Sequence, residues 1–188
     1  QTFQRFEVIV IDNSATNAAE NTGTNVRVIA NPRNVGFGAA INQAYHASDA
    51  PFLAALNDDA EPHATWLEAL MAAAQSHPLA GMFASRVMLD GSGTLDSAGM
   101  LLAADGSSKQ RGHGEPPSHF ARSCTALFPS GSAALYRRAM LDEIGLFEED
   151  YFLYCEDTDL GLRARWAGWE CVYVPDAVVE HRYSHSAG

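Results

Sequence analysis

No stretch of about 18 apolar residues occurs in this chain, which excludes a helix that crosses a bilayer. No secretory leader is expected either, since the residues given show no basic opening followed by an apolar core. Cysteine is scarce. Cys124, Cys155 and Cys171 are widely spaced with no CxxC pair, which argues against a disulfide framework or a zinc site. Reduced thiols in a cytoplasmic protein are the expectation. Positive charge is short as well: 12 Lys and Arg face 23 Asp and Glu, a formal net charge of -11. That balance argues against nucleic acid and anionic membrane surfaces as direct electrostatic partners. A phosphate-bearing ligand would also be repelled unless a metal ion or a cluster of N–H donors offset the field. Internal repeats and charged linkers are absent. The 188 residues, 47% hydrophobic, read as one compact domain over 1–188 with ample core. The chain opens at Gln1 without a Met and reaches a strand within a few residues, so a piece of a longer protein is expected.

What is present is an alternation of short apolar runs and amphipathic segments. Residues 6–11 form a β-branched run that ends in Asp12-Asn13-Ser14, a strand followed by turn chemistry. Residues 17–25 are polar and read as a loop or short helix. Residues 26–29 make a second strand, stopped by Asn31-Pro32. A helix opens at Asn34-Val35-Gly36-Phe37-Gly38, with Phe37, Ala40, Ile41, Ala44 and Tyr45 on one face. Residues 52–56 give a third strand, and Trp66, Leu67, Leu70, Met71 and Ala74 a second amphipathic helix. This order implies a largely parallel sheet with helices on its faces. Further on, residues 82–89 read as a strand, 90–93 as a turn, and 103–119 as a hairpin with a loop. Residues 133–136 are an apolar segment. A helix begins within Cys155-Glu156-Asp157-Thr158-Asp159 and closes at Gly168, followed by strands at 171–174 and 178–181.

The third strand organises the rest. It ends in Asn57-Asp58-Asp59, and ligands of open α/β sheets sit at the carboxyl ends of strands. Two adjacent carboxylates repel each other unless a positive partner is near, and a hard divalent cation completed by substrate phosphates is the usual solution. A polar turn whose Asp58 or Asp59 caps the next helix explains the same tripeptide. Glu156, Asp157 and Asp159 place three carboxylates in four positions at a helix start, where like charges raise the pKa of at least one. Such a group suits general-base work on a sugar hydroxyl, and simple capping is the alternative. Gly36 and Gly38 look like a phosphate-cradling loop or like plain helix-entry glycines. His181 reads as a buried histidine after an apolar pair. His113, His119 and His185 sit in Gly, Ser and Pro-rich surroundings and receive no role.

The order of these pieces carries a resemblance. Val8-Ile9-Val10-Ile11-Asp12-Asn13-Ser14, the stretch 31–42, Leu56-Asn57-Asp58-Asp59-Ala60, Asp96-Ser97-Ala98-Gly99, Gly145-Leu146-Phe147, the stretch 152–160 and the stretch 175–181 occur in succession. The chain thereby resembles glycosyltransferase family 2, in its rhamnosyltransferase-like and galactofuranosyltransferase-like branch. That resemblance implies the α/β GT-A fold, a Rossmann-like, mixed, mostly parallel sheet flanked by helices. It implies a nucleotide-sugar donor (UDP-, dTDP- or GDP-linked), Mn2+ or Mg2+ as cofactor, and a glycan or lipid-linked acceptor, in bacterial cell-surface polysaccharide synthesis. Asp12, Asn34, Gly36 and Asp58 correspond to nucleotide-binding positions, with Asp12 reading the base and Asp58 near the ribose. Asp59 corresponds to the metal ligand, and His181 to a histidine that completes the metal site in some members. Asp157 corresponds to the catalytic base, and Glu156 to a neighbour that holds the acceptor. Asn57 stands where the metal motif has Asp, and an amide oxygen binds a divalent ion more weakly than a carboxylate.

The implied reaction is inverting: the metal steadies the departing diphosphate while Asp157 deprotonates the attacking hydroxyl. One carboxylate suffices on the sugar, unlike the pair that hydrolases use. A metal-dependent nucleotidyltransferase would share the carboxylates but needs a cation beside the Gly-rich loop, where only Arg33 stands. A degenerate sugar-nucleotide binder would have lost Asp59 or Asp157, and both are present. Family members carry a further strand upstream of Asp12 and continue beyond His181. A domain truncated at the N-terminus, and possibly at the C-terminus, is therefore expected. An open sheet edge able to dimerise, and peripheral association with the inner face of a membrane through absent segments, follow from that expectation.

Overall fold

A computed structural model describes residues 1–19 and 26–182. The loop or helix expected over 17–25 falls, from residue 20 on, outside the described residues, as does His185. The strands and helices in chain order are β1 Val8–Asp12, β2 Val26–Ala30, α1 Phe37–His46, β3 Phe52–Leu56, β4 Ala60–Pro62, α2 Trp66–Ser76 and β5 Ala80–Leu89. They continue with β6 Leu95–Ser97, β7 Met100–Leu102, β8 Ser108–Gln110, β9 Cys124–Ala126, β10 Ala133–Arg137, α3 Arg138–Ile144, α4 Glu156–Trp166 and β11 Glu170–His181.

The main sheet runs β3-β10-β5-β11-β4, with β6 on β5 and β9 on β11. Its centre is the parallel pair β5 and β11, the two longest strands. β5 is buried along nearly its whole length, the mark of a strand covered on both faces. β10 lies antiparallel between β3 and β5, so β3, β5 and β11 share one direction and their carboxyl ends fall on one side of the sheet. β1 and β2 pair in parallel as a separate two-stranded sheet, and β7 and β8 form a hairpin.

Side-chain alternation splits the core into two layers, as the two-residue period of a strand requires. Met82, Ala84, Tyr136, Cys171 and Tyr173 point to the side covered by α1, α3 and α4, where Met140, Leu160 and the α1 residues Phe37 and Ile41 meet them. Phe83, Leu135, Val172 and Val174 point the other way, onto Trp66, Leu67, Leu70 and Ala74 of α2. Both amphipathic faces read from the sequence are therefore the faces that pack, giving helices on both sides of a mixed sheet.

Several elements depart from the sequence reading, the short strands β6 and β9 among them. β4 intervenes between β3 and α2, and α2 starts at Trp66 after Thr65, so neither Asp58 nor Asp59 caps it. α3 follows β10 directly; its seven residues are too few to display a clear helical period. The expected strands 171–174 and 178–181 are one strand, β11. Its pairing with β5 jumps from Val174 against Ser85 to Val178 against Arg86, so residues 175–177 are looped out. Pro175, which lacks an N–H, sits in that bulge. The hairpin begins at Met100, ahead of the expected 103.

Candidate active site

The candidate side chains Asp58, Asp59 and His181 gather where β3, β5 and β11 end. After Leu56 the chain turns: the Asn57 N–H donates to the Ser132 carbonyl at 2.9 Å, and the Ala60 N–H donates to the Asn57 carbonyl at 3.2 Å. Asp58 is left exposed and Asp59 half-buried. β11 then brings His181 alongside, in register with Ala60 on one side and Leu89 on the other. His181 Nε2 stands 3.1 Å from Asp59 Oδ1, and its Nδ1 stands 3.1 Å from Asp96 Oδ2. The other Asp96 oxygen lies 3.3 Å from His113 Nδ1. Flanking carboxylates push the His181 imidazole up in pKa, the Asp96 hydrogen bond most and the charge of Asp59 after it, against the opposing effect of burial.

The second carboxylate group opens α4. Phe152, Tyr154 and Cys155 hold φ of 59°, 69° and 70°, left-handed backbone that non-glycine residues adopt at a cost. Glu156 is buried, and its Oε2 has no hydrogen-bond partner among the described residues. Asp157 Oδ2 accepts the Gly131 N–H at 3.0 Å, and its Oδ1 accepts the Thr158 hydroxyl at 3.3 Å. Burial pushes both carboxyl groups above the usual range, the adjacent Asp157 charge adding to the effect on Glu156. Asp159 does not join them: it pairs with Arg163 at 2.8 Å.

A loop that sequence reasoning passed over ties the two groups together. Within Ser130-Gly131-Ser132, the Gly131 N–H holds Asp157 while the Ser132 carbonyl receives the Asn57 N–H. Gly131 is also tight, since a Cβ there would stand 3.2 Å from the Phe37 ring and 3.7 Å from the Asp157 Cβ. Alternating Ser and Gly before a strand was visible in the sequence; what it touches was not.

Asp12 and Asn34 sit around β1 and the start of α1, and Gly36 meets the loop that enters α4. Asp12 Oδ2 accepts the Ala19 N–H at 2.9 Å and Oδ1 the Ser14 N–H at 2.8 Å. These donors, Ala19 first, hold its carboxyl below the usual range. Asn34 Oδ1 accepts the Gly36 N–H at 2.9 Å. Gly36 has φ of 89°, and a Cβ would lie 2.4 Å from the Phe152 carbonyl oxygen, the acceptor of the Phe37 N–H. Here glycine is demanded by the close approach of the α4 entry loop. Asn31 joins Asn13 at 2.8 Å and Gln43 at 3.0 Å, an amide network that fixes this corner and that no sequence pattern announced.

The match to the model of glycosyl transferase family 2 covers residues 1–145. The chain belongs to that family. It is a glycosyltransferase, moving a sugar from a nucleotide-sugar donor. An N-acetylglucosaminyl-diphospho-decaprenol L-rhamnosyltransferase of Mycobacterium tuberculosis is 33% identical over 208 residues, covering 96% of this family 2 chain and 68% of the relative. Among solved structures, GalNAc-T7 with UDP, GalNAc and Mn2+ superimposes at a TM-score of 0.74 with 14% identity, over 96% of this chain and 38% of that one. The mannosyltransferase PcManGT from Pyrobaculum calidifontis, in complex with GDP-Man and Mn2+, gives a TM-score of 0.61 with 15% identity, over 96% of this chain and 48% of that one. At those identities the likeness is one of fold, the GT-A fold, and the chain spans less than half of each solved relative.

The residues present can be tested against a divalent ion. Two neighbouring ligand atoms in an octahedral shell at about 2.1 Å stand about 3.0 Å apart. Asp59 Oδ1 and His181 Nε2, at 3.1 Å, match that spacing. Among the described residues no group of three or more His, Cys, Asp or Glu side chains is arranged to hold a metal ion. Nor is any described helix long and apolar enough to cross a membrane.

Proposed function

We propose that this family 2 domain carries out an inverting, divalent-metal-dependent transfer of a sugar to a hydroxyl of a glycan or lipid-linked acceptor. The observation that carries the reading is the Gly131-Ser132 link. One short loop binds the half-buried Asp157 carboxylate and the turn that presents Asp58 and Asp59, so base and metal motif are held in fixed relation. Asp59 and His181 would hold Mn2+ or Mg2+, with donor diphosphate and water as the remaining ligands. The ion supplies neutralisation of charge on the diphosphate leaving group.

The chain's own residues do the rest. Asp157, raised toward the working pH by burial, takes the proton of the acceptor hydroxyl at its Oδ atoms. The Gly131 N–H and the Thr158 hydroxyl orient that carboxylate. Glu156 offers an unpartnered buried oxygen one residue away and steadies the acceptor. Asp58, exposed beside Asp59, faces the ribose. Asp12, Asn34 and Gly36 shape the nucleotide end by fixing the backbone around β1 and α1. The mycobacterial relative makes an L-rhamnosyl donor with a polyprenyl-diphosphate-linked acceptor the first pair to assay. A nucleotide-sugar panel with Mn2+ widens the search.

The test is Asp157→Asn in transfer and binding assays run side by side. Transfer falls roughly 10²-fold or more while the affinity for donor stays within about twofold. Near-normal turnover would remove Asp157 from the chemistry.

A further inference from the structure

Asp96 takes no part in the function proposed above, yet it is one of the few buried carboxylates in the protein, its side chain 3% exposed. A buried carboxylate is costly unless paired. Among its partners are His181 Nδ1, at 3.1 Å, and His113 Nδ1, which lies 3.3 Å from its other carboxylate oxygen and 3.1 Å from its backbone carbonyl. The backbone explains how it gets there. β6 pairs with β5 through Ser97 against Val87 and Leu95 against Met88, so Asp96 is the extra residue of a β-bulge. Bulges re-aim side chains and concentrate beside active sites. His181 is in register with Leu89 of β5, so the bulged carboxylate meets an imidazole carried by the strand on the opposite flank of β5. The bulge is clamped from behind. The Leu95 N–H donates to the Glu115 carbonyl, the Ala98 N–H to the Arg111 carbonyl, and the Gly114 N–H to the Leu95 carbonyl, at 2.8 to 2.9 Å.

This arrangement bears on the metal pair, and the inference rests on that reading. A neutral imidazole binds a metal only through the nitrogen without a proton, and the bond made by the other nitrogen selects which one that is. Asp59 lies as close to Nε2 as Asp96 lies to Nδ1. Alone, Asp59 would draw the proton to Nε2 and block the ligand. We propose that Asp96 is a positioning residue of the metal site: it accepts the Nδ1–H of His181, fixing the ring so that the Nε2 lone pair faces Asp59. Carboxylates behind metal-bound histidines act this way, and their loss weakens metal binding about 10–100-fold.

The test combines Mn2+ binding in the presence of UDP, read from the free-ion EPR signal, with 15N NMR of the His181 ring at alkaline pH without metal. Asp96→Asn and Asp96→Ala are compared with His181→Ala and His113→Ala, each checked for folding by circular dichroism. Asp96→Ala binds Mn2+ about tenfold or more weakly, as His181→Ala does, while His113→Ala stays within about twofold. Asp96→Asn, whose amide oxygen can still accept the Nδ1–H, loses less. In the wild-type ring the proton sits on Nδ1, and in Asp96→Ala it moves toward Nε2. A folded Asp96→Ala with wild-type Mn2+ affinity, beside a weakened His181→Ala, overturns the role of Asp96 and leaves the metal reading standing. A wild-type ring protonated on Nε2 does the same. Unchanged Mn2+ affinity in His181→Ala overturns the metal reading itself, and this inference with it.

Discussion

Asp157 sets activity against stability. Its carboxyl is pushed up by burial, so the native state holds that proton more tightly than the unfolded chain does. The stability it contributes is complete below the unfolded value near 3.8 and is lost as the pH rises through the folded value. Glu156 behaves in the same sense. Asp157→Asn keeps an oxygen for the Gly131 N–H and never ionises. The variant is therefore expected to melt above the wild type at neutral pH, the gap closing as the pH is lowered below 4. Calorimetric melts across that range check the sign. A variant that melts lower throughout would mean that the carboxylate is stabilised in place.

At the scale of elements, the decisive contact is between the start of α1 and the loop entering α4. Gly36 and Gly38 both serve it: a Cβ at Gly38 would come within 3.1 Å of the Phe147 Cβ and 3.2 Å of the Glu148 carbonyl oxygen. Phe147 is further held by Asn42, whose side chain both receives the Phe147 N–H at 3.1 Å and donates to its carbonyl at 2.9 Å. The aromatic segment from Tyr151 to Tyr154, exposed and bent through left-handed backbone, is thereby fixed one step before Glu156 and Asp157. Gly36→Ala strains φ and pushes on the Phe152 carbonyl together. A loss of about 2 kcal/mol, seen as a fall of roughly 4–8 °C in Tm, is expected. Nucleotide affinity should change by less than about threefold, at most about a third of that free energy. An unchanged Tm with a large loss of nucleotide affinity would make Gly36 a phosphate cradle instead of a packing glycine.

Across the whole molecule, the net charge of -11 repels the donor that the site has to bind. Metal-free UDP should accordingly bind more tightly as salt rises, because screening shortens from about 30 Å at 0.01 M to about 3 Å at 1 M. Binding supported by Mn2+ should weaken over the same range, since there the attraction is what gets screened. Titration calorimetry at low and high NaCl, with and without Mn2+, reads the two slopes. Parallel slopes would show that local N–H donors, and not the ion, offset the field.

The sequence by itself determined the local pieces. Short apolar and β-branched runs located β1, β2, β3 and β5, helical spacing located α1 and α2, and an acidic start closed by Gly168 located α4. The helices α1 and α2 bury the faces that spacing marked. The sequence also set clustered carboxylates at a strand end and at a helix start, and the order of motifs named the family. Short elements escaped, because β4 and α3 hold too few residues to show a period. The meeting of distant groups belonged to the tertiary structure. His181 reaches Asp59 across 122 residues and Asp96 across 85, through a looped-out Pro175 segment in β11 and a one-residue bulge in β6. Neither shift leaves a trace in residue periodicity. The family resemblance makes Asp12 a base reader; in the structure both of its oxygens accept backbone N–H groups of its own loop, a contact that only the tertiary structure shows. Gly131-Ser132 gained its meaning only once β10 lay antiparallel between β3 and β5. Hydrogen bonds between residues far apart in sequence depend on which strands end together, and strand order is settled by how two faces of a sheet are buried at once.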